Sequence, residues 1–462
     1  MSATSGASVE QAAPPVAPHS LGAYFASMRG YPKAAWRAAF AVLIAMGLSP
    51  VVLMTLVTFV AAPISQQTGW SRPSVMSMFS LPMLIGALIL PVTGRFVDRW
   101  GARRVAFPMM ALYGLGTVAI WAAGTNQALL QTALIISSTA GFSASLGVGF
   151  KVVAAWFTDH RGAGFSLLLG SAVGLFSAIL SPVGSALVNS VGWRATYLLI
   201  GLVILLVGLP AQILLLREAP AALHARATDA VLPGADEARD DCPSVTLSTA
   251  VRSRAWILYV LLLALSGGAI MAVRSNAEAL LTPYGVSVNV IALSLSALLL
   301  SSIVGQALVG FSLDRSRTSR AIAPFVLCTV LGLLLVAASG HELWLLFGGM
   351  CLLGLATGAE SSMGPFLSAR YFGLHSFGQI QGLTLALTTT ANTLAPVLAA
   401  AQLNRGLSSG ALLTALAITS GIAVAMVFLL PGYPTAGRPT ERAPGRAPAA
   451  PDRTIELLDN RS

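Results

Sequence analysis

Residues 94–104 read GRFVDRWGARR, a charged stretch on the short connection between two long apolar runs, and residues 310–320 read GFSLDRSRTSR. Asp98 and Asp314 hold the same place in the two segments, and 314 − 98 = 216, close to half of the 462 residues. A second pair tests that offset: Trp156-Phe157 matches Tyr371-Phe372 at 371 − 156 = 215, and Gly162 matches Gly378 at 378 − 162 = 216. So long an interval is no solenoid period. It marks two fused halves, a plan common among membrane proteins built from internal repeats.

Composition fixes the class independently. With 55% hydrophobic and 10% charged residues and a mean hydropathy of +0.78, the chain departs from the soluble average of roughly a quarter charged. It reads as an integral, all-α membrane protein. Spans of roughly 20 apolar residues are long enough to cross as helices. They fall at about 38–62, 74–95, 104–124, 127–151, 163–188 and 194–216, then at about 256–283, 287–313, 321–340, 343–369, 376–402 and 409–431.

The expected organisation is a cytoplasmic tail over 1–36, a six-helix bundle over 37–216, a tether over 217–254, a second bundle over 255–431 and a tail over 432–462. The tether carries Asp236, Glu237, Asp240 and Asp241, and the tails are too poor in apolar residues to pack a core. No basic cluster and short apolar run precede a cleavage site near Met1, so the first span is expected to act as the insertion signal.

Orientation follows from the arginines of the short loops. Arg99, Arg103, Arg104, Arg161, Arg315, Arg317, Arg320 and Arg370 lie on one side, against Arg72, Arg194 and Arg405 on the other. Both termini and the tether are therefore expected in the cytoplasm. Topology and an arginine-rich tail account for the net charge of +10, which removes the reason to invoke nucleic-acid binding. Cys242, Cys328 and Cys351 show no metal-ligand spacing.

Asp98 is followed by Arg99, Gly101, Arg103 and Arg104, and preceded by Gly94. The glycines permit a tight helix exit and close approach of a neighbour, while Asp98 can accept charge-assisted hydrogen bonds from guanidinium groups or from a helix N-terminus. Arginines at a helix end can also do no more than enforce topology. The glycine spacing and the echo at Asp314-Arg315 point instead to a conformational latch between two bundles.

The pattern Gly94, Asp98-Arg99, Gly101, Arg103-Arg104 resembles the signature loop of the major facilitator superfamily, complete in the first half and degraded in the second. The resemblance covers about residues 36–432. It implies twelve transmembrane helices in two pseudo-symmetric six-helix bundles that rock about a central cavity lined by helices one, four, seven and ten. Within the superfamily, WFTDHRGAGFSLLLGSAVG from Trp156 and GAESSMGPFLSARYFGLHSFGQIQG from Gly358 resemble the oxalate/formate antiporter and monocarboxylate porter branch. The implied function is secondary active transport in a bacterial inner membrane by a monomer, driven by a proton or counter-substrate gradient and needing no cofactor.

Ionisable groups inside apolar spans cost roughly 2.5–3.5 kcal/mol by insertion scales and tend to be functional or paired. Here they are Lys151 in the fourth span, Arg274 and Glu278 in the seventh, and Glu360 in the tenth. Arg274 and Glu278 are four apart, so a continuous helix places them on one face as an ion pair. The pair suggests a proton-coupled anion site, with Arg274 as a forked donor to a carboxylate and Glu278 releasing it on protonation. A structural pair near the outer membrane face is the plainer alternative. Glu360 lies in the small-residue segment LGLATGAESSMGP and either carries a proton or braces its helix. Lys151 is expected to snorkel toward Asp159 or lipid phosphate.

Among uncharged groups, Thr55 and Thr58 in the first span, and Thr388, Thr389, Thr390 and Asn392 in the eleventh, could bond a substrate. Hydroxyls in such helices often bond their own backbone instead. The candidate substrate-binding set is therefore Arg274, Glu278, Glu360, Asn392 and Thr58. The spans 287–313 and 376–402 contain no Lys, Arg, Asp or Glu, unlike the branch pattern, which makes a dianion a poor fit and leaves a monoanion. Two alternatives are a proton-coupled exporter of an amphipathic drug or metabolite, and a transporter-like sensor. No His, Cys or carboxylate constellation has metal or triad spacing, so the chain is not read as an enzyme.

Overall fold

Proline chemistry shapes the first helix. The computed structural model describes residues 28–158, 160–219, 245–316, 318–340 and 342–433, with the side chain of Thr58 outside that description. Helix α1 (33–68) leaves helical geometry at Ser49 (φ −66°, ψ 157°), because Pro50 disfavours the helical region for the residue before it. It then passes through a short 3₁₀ turn, Met54–Leu56, and resumes as Val57–Thr68.

The remaining helices follow in antiparallel order: α2 (72–100), α3 (Ala102–Ala123), α4 (Gln127–Trp156), α5 (161–191), α6 (193–215), α7 (254–281), α8 (Val288–Arg315), α9 (Ser319–Ala338), α10 (Leu343–Phe372), α11 (Phe377–Asn404) and α12 (Ser409–Leu429). By length and hydropathy alone there are 11 spans, since Arg161–Leu215 forms one apolar stretch of 55 residues. Gly192 divides it: at φ 81°, ψ 163° it occupies a backbone region open to glycine, and the chain reverses there. The result is the expected all-α membrane protein of twelve transmembrane helices in two pseudo-symmetric bundles.

Most of the tails and tether fall outside the described residues. Where they are described, α1 begins at Lys33, within the stretch read as the N-terminal tail. A short helix, Leu247–Arg252, lies in the stretch read as the tether.

Small residues bring the helices of each half together. At Gly305, Gly354 and Gly358 an added Cβ would run into the backbone of Leu355, Leu298 and Ser302, so α8 and α10 touch main chain to main chain. Between the halves, α2 packs on α11 and α5 on α8.

Beside a small cluster of Met28 and Ala163, three large clusters divide the core among the described residues. One spans both halves at the face carrying Asp98 and Asp314, joining Val97, Phe157 and Phe165 to Leu313, Phe372 and Phe377. The other two stay within single halves: Val75, Ile120 and Trp193 belong to the first, and Leu281, Ile291 and Leu346 to the second. The bundles are thus sealed together at the Asp98–Asp314 face.

Candidate functional site

The first four N–H groups of a helix have no partner within it, and they carry the positive end of its dipole. Helix α11 lacks a side-chain cap from its own N-cap residue, Ser376. Asp98, at the end of α2 in the other half, supplies it. Its Oδ1 accepts from the Gly378 N–H (3.2 Å) and its Oδ2 from the Gln379 N–H (3.1 Å). The approach needs glycine: a Cβ at Gly94 would collide with the Gly378 backbone, and one at Gly378 would stand 2.8 Å from the Gly94 carbonyl oxygen. Gly101, at φ 98°, turns the chain into α3.

Lys151 completes this arrangement, and its sequence-based expectation needs correction. Its side chain does not snorkel to lipid: the residue is 6% exposed, and Nζ lies 2.7 Å from Asp98 Oδ1. The same ammonium donates to the carbonyl oxygen of Leu374, across the boundary between the halves. Burial explains the difference, because an ammonium enclosed by α2, α4 and the α10–α11 loop is better satisfied by a carboxylate and a carbonyl than by a distant headgroup.

The arginines of the loop play another part. Arg99, Arg103 and Arg104 are exposed. Arg103 donates to the Ile213 carbonyl at 3.2 Å, and no arginine bonds Asp98 among the described residues.

The second copy repeats the backbone plan with the halves exchanged. Asp314, at the end of α8, accepts from the Gly162 N–H on Oδ1 (2.6 Å) and from the Ala163 N–H on Oδ2 (2.9 Å), at the start of α5. Each acid therefore caps the helix whose glycine the 216-residue offset matches to the other half. Here a Cβ at Gly310 would meet the Ser166 hydroxyl at 2.7 Å and the Gly162 carbonyl oxygen at 3.0 Å. The position equivalent to Lys151 is 151 + 216 = 367, and Leu367 is fully buried there. Arg315, following Asp314, is exposed and lies over the Phe311 ring at 5.7 Å.

Further cross-half contacts surround these caps. Ser166 and Ser362 share a hydroxyl hydrogen bond of 2.9 Å, Ser171 donates to Gln306 Oε1 at 2.9 Å, and the Phe165 and Phe377 rings stack with centroids 6.4 Å apart.

A separate polar cluster lies inside the second half. Glu360 of α10 presses its carboxyl against Gly267 of α7, where a Cβ would overlap Oε1. Asn392 of α11 lies beside that carboxyl, with its own Oδ1 buried and without a hydrogen-bond partner. Two of the sequence candidates, Glu360 and Asn392, are thus brought together beside Gly267, one of a Gly267-Gly268 pair that the sequence suggests as a point of bending.

Arg274 and Glu278 are not brought together. The helix breaks between them at Asn276 (φ −111°, ψ 20°), whose Nδ2 donates to the Ala272 carbonyl (2.9 Å) and, across the gap, to the Pro396 carbonyl (3.1 Å). Both charged residues are exposed, and the four-residue spacing loses its meaning once the helix is interrupted. Thr55, Thr388 and Thr390 bond carbonyls of their own helices; Thr58 lies outside the described side chains.

Sequence reasoning misses the Lys151 partner, the break at Asn276 and the Ser166–Ser362 contact. A signal for the first is present: Gly378, matched to Gly162, marks where an acid from the opposite half arrives.

The family model described as Major Facilitator Superfamily matches residues 42–279. An MFS-type transporter of Bacillus subtilis (strain 168), YcxA, described as uncharacterized, is 25% identical over 177 residues, covering 37% of this chain and 40% of that protein. The chain thus matches less than half the length of that relative. Among solved structures, an MFS transporter, FucP, in the outward conformation superposes with a TM-score of 0.63 at 17% identity, covering 85% of this chain and 98% of that one. A variant of the E. coli fucose:proton symporter FucP gives a TM-score of 0.62 at 17% identity, with the same coverage. Likeness at that identity concerns the fold.

Proposed function

Because the chain belongs to the Major Facilitator Superfamily, we propose that it is a secondary active transporter that moves a small organic monoanion by alternating access, coupled to protons or by exchange. Asp98 and Asp314 act as latches that hold the two halves closed at their shared face. By the distribution of loop arginines that face is cytoplasmic. Rocking breaks both caps and the Lys151–Leu374 bond, and opens that side.

The observation that supports proton coupling is the Glu360 carboxyl pressed against Gly267 of α7, with Asn392 of α11 beside it. Asn392 can donate to the charged carboxylate through its NH₂ group. It can also accept from the neutral acid through Oδ1, so one site accommodates both forms. Arg274, unpaired with Glu278, is free to receive a carboxylate by a forked contact. It stands 274 − 267 = 7 residues beyond Gly267, roughly 10 Å along the helix at 1.5 Å per residue.

The test is uptake of a panel of labelled monocarboxylates into proteoliposomes under an imposed pH gradient. Gradient-driven accumulation that Arg274→Ala removes is expected, and Glu360→Gln should lose the dependence on the gradient. If no carboxylate accumulates, or Arg274→Ala transports like the parent, the anion reading is wrong.

A second reading is proton-coupled export of an amphipathic solute. It is favoured by the fact that the ionisable group held within the second bundle is acidic, whereas Arg274 sits at the exposed end of α7. It predicts proton-driven extrusion of lipophilic cations in the same vesicles.

A further inference from the structure

The segment ahead of α1 reaches the boundary between the halves. Pro32 disfavours helical geometry for the residue before it, and the chain turns there, with the Tyr31 N–H donating to the Met28 carbonyl oxygen at 3.4 Å. The Tyr31 ring packs on Phe157 with centroids 5.0 Å apart and meets His160 edge-on at 5.6 Å, while its hydroxyl pairs with His160 Nδ1 at 3.0 Å. His160 immediately precedes α5 and is itself buried. The segment is thus fastened to the first half.

Met28 extends further. It is 7% exposed and forms a buried cluster with Ala163 of α5, against which the half-buried Phe311 of α8 packs. Ala163 supplies one of the N–H groups that Asp314 caps, and Phe311 stands 314 − 311 = 3 residues before that acid. One thioether side chain therefore lies against both helices of the α5–α8 contact where the cap is made, a place that suits its adaptable shape. The α2–α11 contact is built differently: the position matching Phe311 is 311 − 216 = 95, and Arg95 is exposed.

Met28 cannot keep both partners when the halves rock. Separation of α8 from α5 leaves the Tyr31 contacts intact, because Tyr31, Phe157 and His160 all belong to the first half, but it pulls Phe311 away and returns apolar surface to water. A contact biases a two-state equilibrium only by as much as it differs between the states. The Tyr31–His160 bond is common to both. The Met28–Phe311 packing exists in the closed state alone.

We propose that Met28–Tyr31 is a strap, with Tyr31 as its anchor and Met28 as an apolar wedge that closes over the Asp314 cap and holds that side shut. Whatever draws Met28 off this face favours opening, which makes the segment a point of control outside the latch residues. The strap presupposes the alternating-access reading above, while neither the substrate nor the coupling ion enters it.

The test is the distance between spin labels at Thr158→Cys and Thr318→Cys, exposed positions on opposite sides of the α5–α8 contact. It is read by pulsed electron resonance on the full chain in nanodiscs, on a background without the native cysteines. Met28→Ser should raise the ratio of long to short distances roughly tenfold, and Met28→Leu, which conserves apolar volume, should match the parent. On a Phe311→Ala background Met28→Ser should add little, because the packing it removes is already gone. Met110→Ser, at a fully buried methionine within the first half, should lower Tm and leave the distances unchanged. Unchanged distances in Met28→Ser, an equal lengthening in Met110→Ser, or an effect of Met28→Ser that is as large without Phe311 as with it would overturn the proposal. Asp314→Asn separates the two readings: lengthening there with none in Met28→Ser removes the strap alone, and no lengthening in either removes the Asp314 latch with it.

Discussion

The α2–α11 and α8–α5 contacts share one backbone plan, and the first has a buried lysine where the second has a leucine. In both, an aspartate at the end of a helix in one half accepts two N–H groups at the start of a helix in the other. The first contact adds Lys151, bonded to Asp98 and to the Leu374 carbonyl, where the second has Leu367 at the equivalent position. The acid seats itself on the positive end of a helix and the lysine on the carbonyl just before it, so the first contact recognises both signs of the partner's backbone. Duplication explains the shared caps, and Lys151 is what the first contact adds at the position where the second has Leu367.

The largest effect that separates them is expected from Lys151→Met. It leaves the Asp98 carboxylate buried beside the boundary with no cation, a change that costs about 3–5 kcal/mol when one member of a buried pair is removed. Leu367→Met, its counterpart, conserves volume and should cost less than about 1.5 kcal/mol. Thermal unfolding of the purified variants measures the difference, and equal losses of Tm would remove the asymmetry.

Next come the acids themselves. Asp98→Asn strands Lys151 as well as weakening two charge-assisted bonds of about 1.5–3 kcal/mol each, whereas Asp314→Asn weakens two such bonds to α5 without stranding a buried lysine. Both should slow transport without abolishing substrate binding, the first more than the second, as read by initial uptake rate against equilibrium binding. Loss of binding in Asp98→Asn would place that loop in the substrate site instead of a latch.

Glycine positions sharpen the comparison further. A Cβ at Gly94 collides with the backbone of Gly378, which cannot step aside, whereas at Gly310 it first meets the hydroxyl of Ser166, which can rotate. Gly94→Ala should therefore raise the reactivity of a cysteine at the boundary by more than Gly310→Ala does. The smallest effect belongs to Arg99→Gln and Arg104→Gln: both side chains are exposed and form no bond to Asp98, so neither should shift Tm measurably. A clear shift would return the arginines to the latch.

The two contacts also differ in how far the amino-acid sequence reveals them. The offset linking Asp98 to Asp314 and Gly162 to Gly378 locates both, because duplication leaves a mark in one dimension. The number of helices is legible too, although hydropathy alone merges α5 with α6 across Gly192, where a single glycine reverses the chain. Lys151 stands out as a costly charge, but its partners lie 151 − 98 = 53 and 374 − 151 = 223 residues away, and no local periodicity records them. Arg274 and Glu278 mislead for the opposite reason: their helical spacing means contact only if the helix persists through Asn276, whose side chain bonds Pro396 of another helix. Glu360 and Asn392 are each conspicuous by their chemistry, and only the packing of α7, α10 and α11 puts them in contact.

The most direct test of the unequal latches is a distance across the Asp98–Asp314 face. Spin labels at Arg104→Cys and His375→Cys, on a background without the native cysteines, report the separation of the halves by pulsed electron resonance. The account predicts one short distance in the parent and in Leu367→Met, and a substantial second population at longer distance in Lys151→Met. An unchanged short distance in Lys151→Met, or an equal shift in both variants, would contradict it.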